Sequence, residues 1–320
     1  MTNKQPLLSI CIPTYNRCQY LTKTLDSIIE QPEFNSENVE IVISDNCSTD
    51  NTQNACLEYT KKFSNIKYHR NIENIADKNF PLVLSEGSGV LLKLCNDTLL
   101  FNTGALAYLL DIVKNYQISK DVVFTKNSGL ENDTHTSSLD EFLYAVSFNI
   151  TWIGGLCVWK EDFKDLASNE EGCEKKLWQV PFLLNYVNHR KNALVCNKTL
   201  FTRQSEEKKN ISYGLYTVFY ENYLGFVRNY LNSKEISQEC FSWLEKDLLF
   251  SFFPYWMIQF KLKNKHLVYS KSENLIKSIF TAYKKKPYYK EFRSFYGKLY
   301  FNEVVKPKLK HFIKKILWFV

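Results

Sequence analysis

The sequence predicts an α/β fold, a mostly parallel sheet with helices on both faces followed by a helical C-terminal region. Two observations carry most of that expectation. Ser9-Ile-Cys-Ile-Pro-Thr-Tyr-Asn-Arg17 and Val39-Glu-Ile-Val-Ile-Ser-Asp-Asn-Cys-Ser-Thr-Asp50 are each an apolar run that breaks into a polar loop. Each is followed by residues at helical spacing, and such repeated strand–helix units build parallel sheets. The third observation is the loss of this alternation after about residue 205, where the chain turns aromatic and helical.

Taken in order, Leu7–Ile12 reads as the first strand. Tyr20, Leu21, Thr24, Leu25, Ile28 and Ile29 recur at helical spacing and predict a helix over 19–30. Val39–Ser44 is nearly all apolar, as a strand covered on both faces should be. Ser48 or Asp50 can cap the next helix, whose inner face is Thr52, Ala55, Cys56, Tyr59 and Phe63. A short strand over Ile66–His69, a helix over Asp77–Ser85 and a strand over Val90–Leu94 follow. A helix over 103–116 and a strand over Val122–Thr125 complete the regular part. Asn127–Ser138 is polar and predicts a mobile loop. Thr151–Trp159 predicts a buried turn and strand, Trp178–Tyr186 a helix and Leu194–Thr202 a single strand. These divisions predict two domains, residues 1–205 and residues 206–320.

Bulk numbers narrow the class. The chain has 320 residues, 45% hydrophobic and 23% charged, a globular composition. No secretory signal is read at the N-terminus, and no apolar run reaches the roughly 18–20 residues that span a bilayer. Nine cysteines without a Cys-x-x-Cys pair point to reduced, buried thiols. Residues 261–320 hold 16 Lys/Arg against 3 Asp/Glu, net +13, while the whole chain is +7. A basic tail of this kind seeks phosphate. Leu309, Phe312, Ile313, Ile316, Leu317 and Val320 fall on one helical face with lysines opposite, a pattern that suits a membrane interface. With Lys284-Lys-Lys286, they predict docking of residues 284–320 on an anionic membrane surface. No recognisable nucleic-acid module is present, so nucleic acid is not an expected partner.

Ligands of such sheets bind outside the carboxyl ends of the strands. Three loops should therefore converge there: Pro13-Thr-Tyr-Asn-Arg17, Asp45-Asn46, and Asn96-Asp-Thr98 at the end of the fourth strand. As a set they resemble the N-terminal signature of the family 2 glycosyltransferases with the GT-A fold, over residues 7–125 and more loosely over 150–203.

That resemblance implies a Rossmann-like GT-A domain. It also implies an inverting transfer of sugar from a nucleotide-sugar donor to a saccharide acceptor, lipid-linked, in cell-surface polysaccharide synthesis. It places the enzyme in the cytoplasm, peripheral on the inner face of the plasma membrane. By the same resemblance, Pro13, Thr14, Tyr15, Arg17, Asp45, Asn46, Asp77, Lys78, Asn79, Asn96 and Asp97 bind the donor. Asp45 takes the base or ribose, and Tyr15 flanks the base.

The family usually holds the diphosphate through Mg2+ or Mn2+ on a Leu-x-Asp-Asp-Asp run. Here the run is Leu92-Lys-Leu-Cys-Asn-Asp-Thr98, so Asn96 and Thr98 stand at the outer aspartates. Asp97 with Thr98 is the expected metal site. The catalytic base of the family lies in the second half of the domain, often in a Glu-Asp pair. This chain has none at the expected place, and Glu174 before Trp178-Gln179 is the residue assigned. Trp152 and Trp178 are read either as sugar-stacking platforms or as core. The alternative function is a catalytically decayed GT-A relative that binds glycan or membrane.

Overall fold

The computed structural model describes residues 5–35, 37–166, 170–205 and 209–307. The chain divides into two compact units, 1–205 and 206–320.

Unit one is built on a five-stranded sheet. Its strands are β1 (Leu8–Thr14), β2 (Val39–Asp45), β3 (Ile66–Arg70), β4 (Leu91–Leu94) and, further along the chain, Cys157–Trp159. The spatial order is β3-β2-β1-β4 and then 157–159. The first four strands are parallel, while 157–159 runs antiparallel to β4. Every residue of β1 and β2 is buried, which accounts for their mostly apolar character. Helix α1 (Cys18–Ile29) buries Leu21, Thr24, Leu25 and Ile28. Helix α2 (Thr52–Lys62) starts where Asp50 Oδ1 accepts from the Thr52 N–H at 3.0 Å. Helix α3 (Asn79–Glu86) follows a 3-10 turn at Ala76–Lys78.

Pro13 marks where the sheet opens. Pairing of β1 with β2 runs on to Thr14↔Asp45, but pairing with β4 ends at Cys11↔Leu94. A proline has no N–H to extend a ladder. The ends of β1 and β4 therefore separate, and a cleft forms between them.

The rest of the unit departs from expectation in three ways. Val122–Thr125 does form a strand, but in a separate three-stranded sheet with 193–196 and 134–136. The polar stretch 127–138 is not simply a loop, because Thr134–Thr136 forms that third strand. Asp133 beside it accepts from the Asn197 N–H at 3.0 Å, anchoring the segment. The strand expected over 194–202 is two strands, Ala193–Cys196 and Phe201–Arg203, and the second pairs with Leu99–Phe101. Trp178 is fully buried and stacks on Phe182 at 5.0 Å, so it belongs to the core.

Unit two is mainly helical, with helices at Leu224–Asn232, Gln238–Asp247, Phe253–Leu262, Leu275–Tyr283 and Tyr289–Tyr300. A short parallel ladder between Lys209–Ile211 and Leu267–Tyr269 interrupts the expected all-helical pattern. Within it, buried Glu245 accepts from Lys286 and from the Tyr288 hydroxyl at 3.3 Å. Lys286, expected to serve a membrane surface, is thus tied into an internal ion pair, while Lys284 and Lys285 stay exposed. The terminal pattern 309–320 lies outside the described residues. Among the described residues no helix is long and apolar enough to cross a membrane.

Candidate functional site

The cleft at the parting of β1 and β4 has a volume of about 420 Å³. Pro13, Thr14, Tyr15 and Arg17 line it from the β1 loop, Asn46 from the β2 loop, and Asn96 and Asp97 from the β4 turn. Asp77 and Asn79 line it from the start of α3. Nine of the residues expected at a donor site therefore share one cavity. Asn74, Ala76, Phe80 and Ile153 also line it and were not anticipated.

The loops are locked together by their own polar groups. The Asn46 N–H donates to Thr14 O at 2.9 Å, and the Asn16 N–H to Ser48 Oγ at 2.8 Å. Asn16 has φ 52°, a left-handed conformation that asparagine tolerates, and its Oδ1 accepts from the Thr49 N–H at 2.7 Å. Asn46 Oδ1 accepts from Asn71 Nδ2 and the Ile75 N–H, while its Nδ2 donates to Asn74 Oδ1. Asn79 accepts from Ser44 Oγ at 2.6 Å and from Asn71 Nδ2 at 3.0 Å. Asn71 is the hub of this net and was missed. Its position just after β3 was the available signal, since the other donor loops also follow strands.

Four expected residues do not line the cleft. Asp45 is completely buried. Its Oδ1 accepts from the Ser48 N–H at 2.9 Å, its Oδ2 from the Tyr68 hydroxyl at 2.7 Å, and Arg70 Nε lies 3.7 Å away. It props the β2 loop from behind instead of facing the cavity. Burial, and then Asp45 itself, push the Tyr68 hydroxyl well above its ordinary pKa and keep it a donor. Lys78 is exposed, and Thr98 is buried with its carbonyl accepting from the Gln204 N–H. Glu174 is exposed at the end of helix Glu170–Glu174 and stands outside the lining.

Two carboxylates do face the cleft. Asp97 Oδ2 accepts from Thr14 Oγ1 at 2.8 Å, and Arg17 Nη1 lies 3.5 Å from its Oδ1. The Asp97 carbonyl accepts from Thr24 Oγ1 at 2.9 Å, which fixes the turn to α1. Asp77 also lines the cleft, with its carboxyl raised by burial, an effect reduced by Lys176 at 3.8 Å.

The turn does not fit a divalent ion in the way its position implies. Mg2+ is normally held by one or two carboxylates plus substrate phosphates. Asp97 alone meets the lower end of that range, but a cation on its Oδ1 would face the Arg17 guanidinium. Even unit charges 4 Å apart repel by about 4 kcal/mol at an effective dielectric of 20. Asn96 Oδ1 is buried without a hydrogen-bond partner and is packed beside Gly154, away from solvent. Thr98 is off the cleft. Among the described residues no group of three or more His, Cys, Asp or Glu side chains is arranged to hold a metal ion.

Behind the cleft, fully buried Lys93 donates to the carbonyls of Leu94 and Gly154 and lies 5.3 Å from the Phe201 ring centre. It holds the 152–155 turn, whose Ile153 lines the cavity. A Cβ on Gly154 would stand 2.6 Å from the Trp152 ring and 2.8 Å from Asn96 Oδ1. Gly154→Ala is therefore expected to displace this wall and lower stability by about 1–3 kcal/mol, which urea titration measures.

The chain is similar to several known proteins. Residues 9–139 match the family model of glycosyl transferase family 2. An 85-residue stretch is 44% identical to abequosyltransferase RfbV of Salmonella typhimurium, covering 26% of this chain and 25% of that protein. A longer stretch of 153 residues is 31% identical to the GalNAc(5)-diNAcBac-PP-undecaprenol beta-1,3-glucosyltransferase of Campylobacter jejuni, covering 44% of this chain and 48% of that one. The chain thus spans at most about half of either relative. S. aureus TarS 1–349, solved with UDP, superposes with a TM-score of 0.56 at 19% identity, over 81% of this chain and 75% of that chain. The mannosyltransferase PcManGT of Pyrobaculum calidifontis, solved with GDP-Man and Mn2+, gives 0.52 at 14% identity, over 92% and 85%. Residues 9–139 thus resemble glycosyl transferase family 2, and the chain has the GT-A fold of these solved structures.

Proposed function

We propose that the chain is an inverting glycosyltransferase that moves a sugar from a nucleotide donor to a saccharide acceptor, lipid-linked, in surface-polysaccharide assembly. The observation that carries this is the meeting of Tyr15, Asn46, Asp77, Arg17 and Asp97 in one cleft at the carboxyl ends of parallel strands. Tyr15, 43% exposed, offers a ring face to a base. The Asn46 loop and Asp77 complete the polar lining of the cleft. Arg17, with Thr14 and Asp97 behind it, marks the diphosphate end. The lipid-linked acceptor is supported by the undecaprenol diphosphate in the name of the Campylobacter relative. Exposed Lys284 and Lys285 are consistent with docking of 284–320 near such an acceptor.

The reaction is a single displacement. The acceptor oxygen attacks the anomeric carbon, and the bond from that carbon to the diphosphate breaks with its electron pair leaving on phosphate. A carboxylate takes the acceptor proton. Asp77 is better placed for this than Glu174, since it lines the cleft, and burial raises its carboxyl above the ordinary aspartate range.

A panel of nucleotide sugars with lipid-linked saccharide acceptors tests this reading. One donor is expected to give transfer, reduced about 10²–10³-fold in Asp97→Ala, the cost typical of losing a group that organises leaving-group charge. The alternative, a decayed relative, is favoured by the single surviving carboxylate of the β4 turn. Donor binding without transfer to any acceptor would select it.

A further inference from the structure

We propose that the donor site works without a divalent ion, and that Arg17 takes over the charge of the departing diphosphate by exchanging Asp97 for phosphate. This rests on the donor-site reading above. Among the described residues lining the cleft, Arg17 is the only cation. It stands directly in front of Asp97, the one carboxylate that the β4 turn retains.

The two changes fit together. A turn with three carboxylates attracts a divalent ion. A turn reading Asn96-Asp97-Thr98 carries a single negative charge, which a guanidinium can match alone. Asp97 is then a positioning residue. Its Oδ2 is steadied by Thr14 Oγ1 at 2.8 Å, and its Oδ1 holds Arg17 toward the cleft at 3.5 Å.

The side chain of Arg17 is 42% exposed, so a phosphate can reach its guanidinium. Its planar fork matches phosphate oxygens, and charge-assisted bonds of that kind are the strong ones. The nearby end of α1 does not compete for the role. Its first N–H, from Cys18, is occupied by Asp50 Oδ2 at 3.0 Å. Lys78, the other cation expected here, lies outside the lining.

When the anomeric carbon–oxygen bond breaks, the electron pair collects on the diphosphate. The guanidinium meets it with N–H donors and gives up no proton. No metal-bound intermediate is needed, and the acceptor proton leaves separately to the base.

The test is calorimetric titration of the full chain with UDP, GDP, dTDP, CDP and ADP, in EDTA and again in Mn2+, with the matching nucleosides as controls. One diphosphate is expected to bind with the same Kd in both buffers. Arg17→Ala should weaken it by roughly tenfold or more, Arg17→Lys should recover part of the loss, and nucleoside binding should not change. That last contrast separates phosphate recognition from general damage. A circular dichroism melt of Arg17→Ala matching wild type confirms its fold. Binding that requires Mn2+, or that Arg17→Ala leaves intact, overturns the inference and leaves the donor site standing. No binding of any diphosphate in either buffer overturns both.

Discussion

Asp45→Ala is expected to lower stability by about 3 kcal/mol and to abolish nucleotide binding with it, although Asp45 does not line the cleft. The carboxylate is fully buried and satisfies two donors, the Ser48 N–H and the Tyr68 hydroxyl. Truncation strands both and leaves Arg70 without the charge it faces at 3.7 Å. An unmet buried donor costs its full desolvation, which exceeds the net worth of the bond it made. The loop released is 46–48, which carries Asn46 into the cleft and packs Ser48 on Asn16. Asp45→Asn should fall between the two, because the amide oxygen can keep one of the donors. Urea unfolding of the three proteins gives the stability order, and nucleotide titration gives the functional one. A direct ligand contact would show the opposite signature, with lost binding at unchanged stability.

Asp77→Asn is the second large effect, and its two consequences run in opposite directions. If Asp77 accepts the acceptor proton, kcat should fall by about 10²–10⁴-fold, with little change in donor KM. Activity of the wild type should rise with pH through the Asp77 pKa, which burial holds above the ordinary aspartate value of about 3.9. Stability should move the other way. A carboxyl whose folded pKa is raised favours folding most while it is protonated, below its unfolded pKa. That contribution is lost as pH rises through the folded value. Asparagine cannot ionise, so the variant should gain on the wild type as pH rises above about 4. The ion pair of Asp77 with Lys176 at 3.8 Å reduces the gain. Melting temperatures from pH 3.5 to 7 and kcat over the same range check both halves. An unchanged kcat in Asp77→Asn would return the search for the base to Glu174.

The reading of the sequence succeeded where burial is uniform and failed where a partner lies far along the chain. β1 and β2 are apolar along nearly their whole length because both faces are covered, so composition alone reveals them. The α1 face is equally plain, since one stripe of residues meets the sheet. Asp45 was assigned to the ligand because a carboxylate after a strand looks available. Nothing local shows that Tyr68 and Arg70, more than twenty residues on, already use it. The edge strand Thr134–Thr136 was hidden by its polarity, because two of its three residues are exposed. The break between 196 and 201 follows from Asn197, whose side chain is committed to Asn132 O, Thr134 Oγ1 and Ser128. Glu174 was reached by elimination among loop glutamates, a route with no geometric content. Asn71 and Lys93 shape the site from behind, and neither carries a motif that marks it.

A nucleotide is expected to occupy the cleft where β1 and β4 part. Amide hydrogen exchange with and without saturating nucleoside diphosphate tests it most directly, because it locates the ligand without requiring the acceptor. Slower exchange is expected in residues 14–17, 46–48, 74–80 and 96–98, with no change across 209–307. Protection confined to 209–307, or exchange unaltered in those four loops by a diphosphate that demonstrably binds, would contradict it.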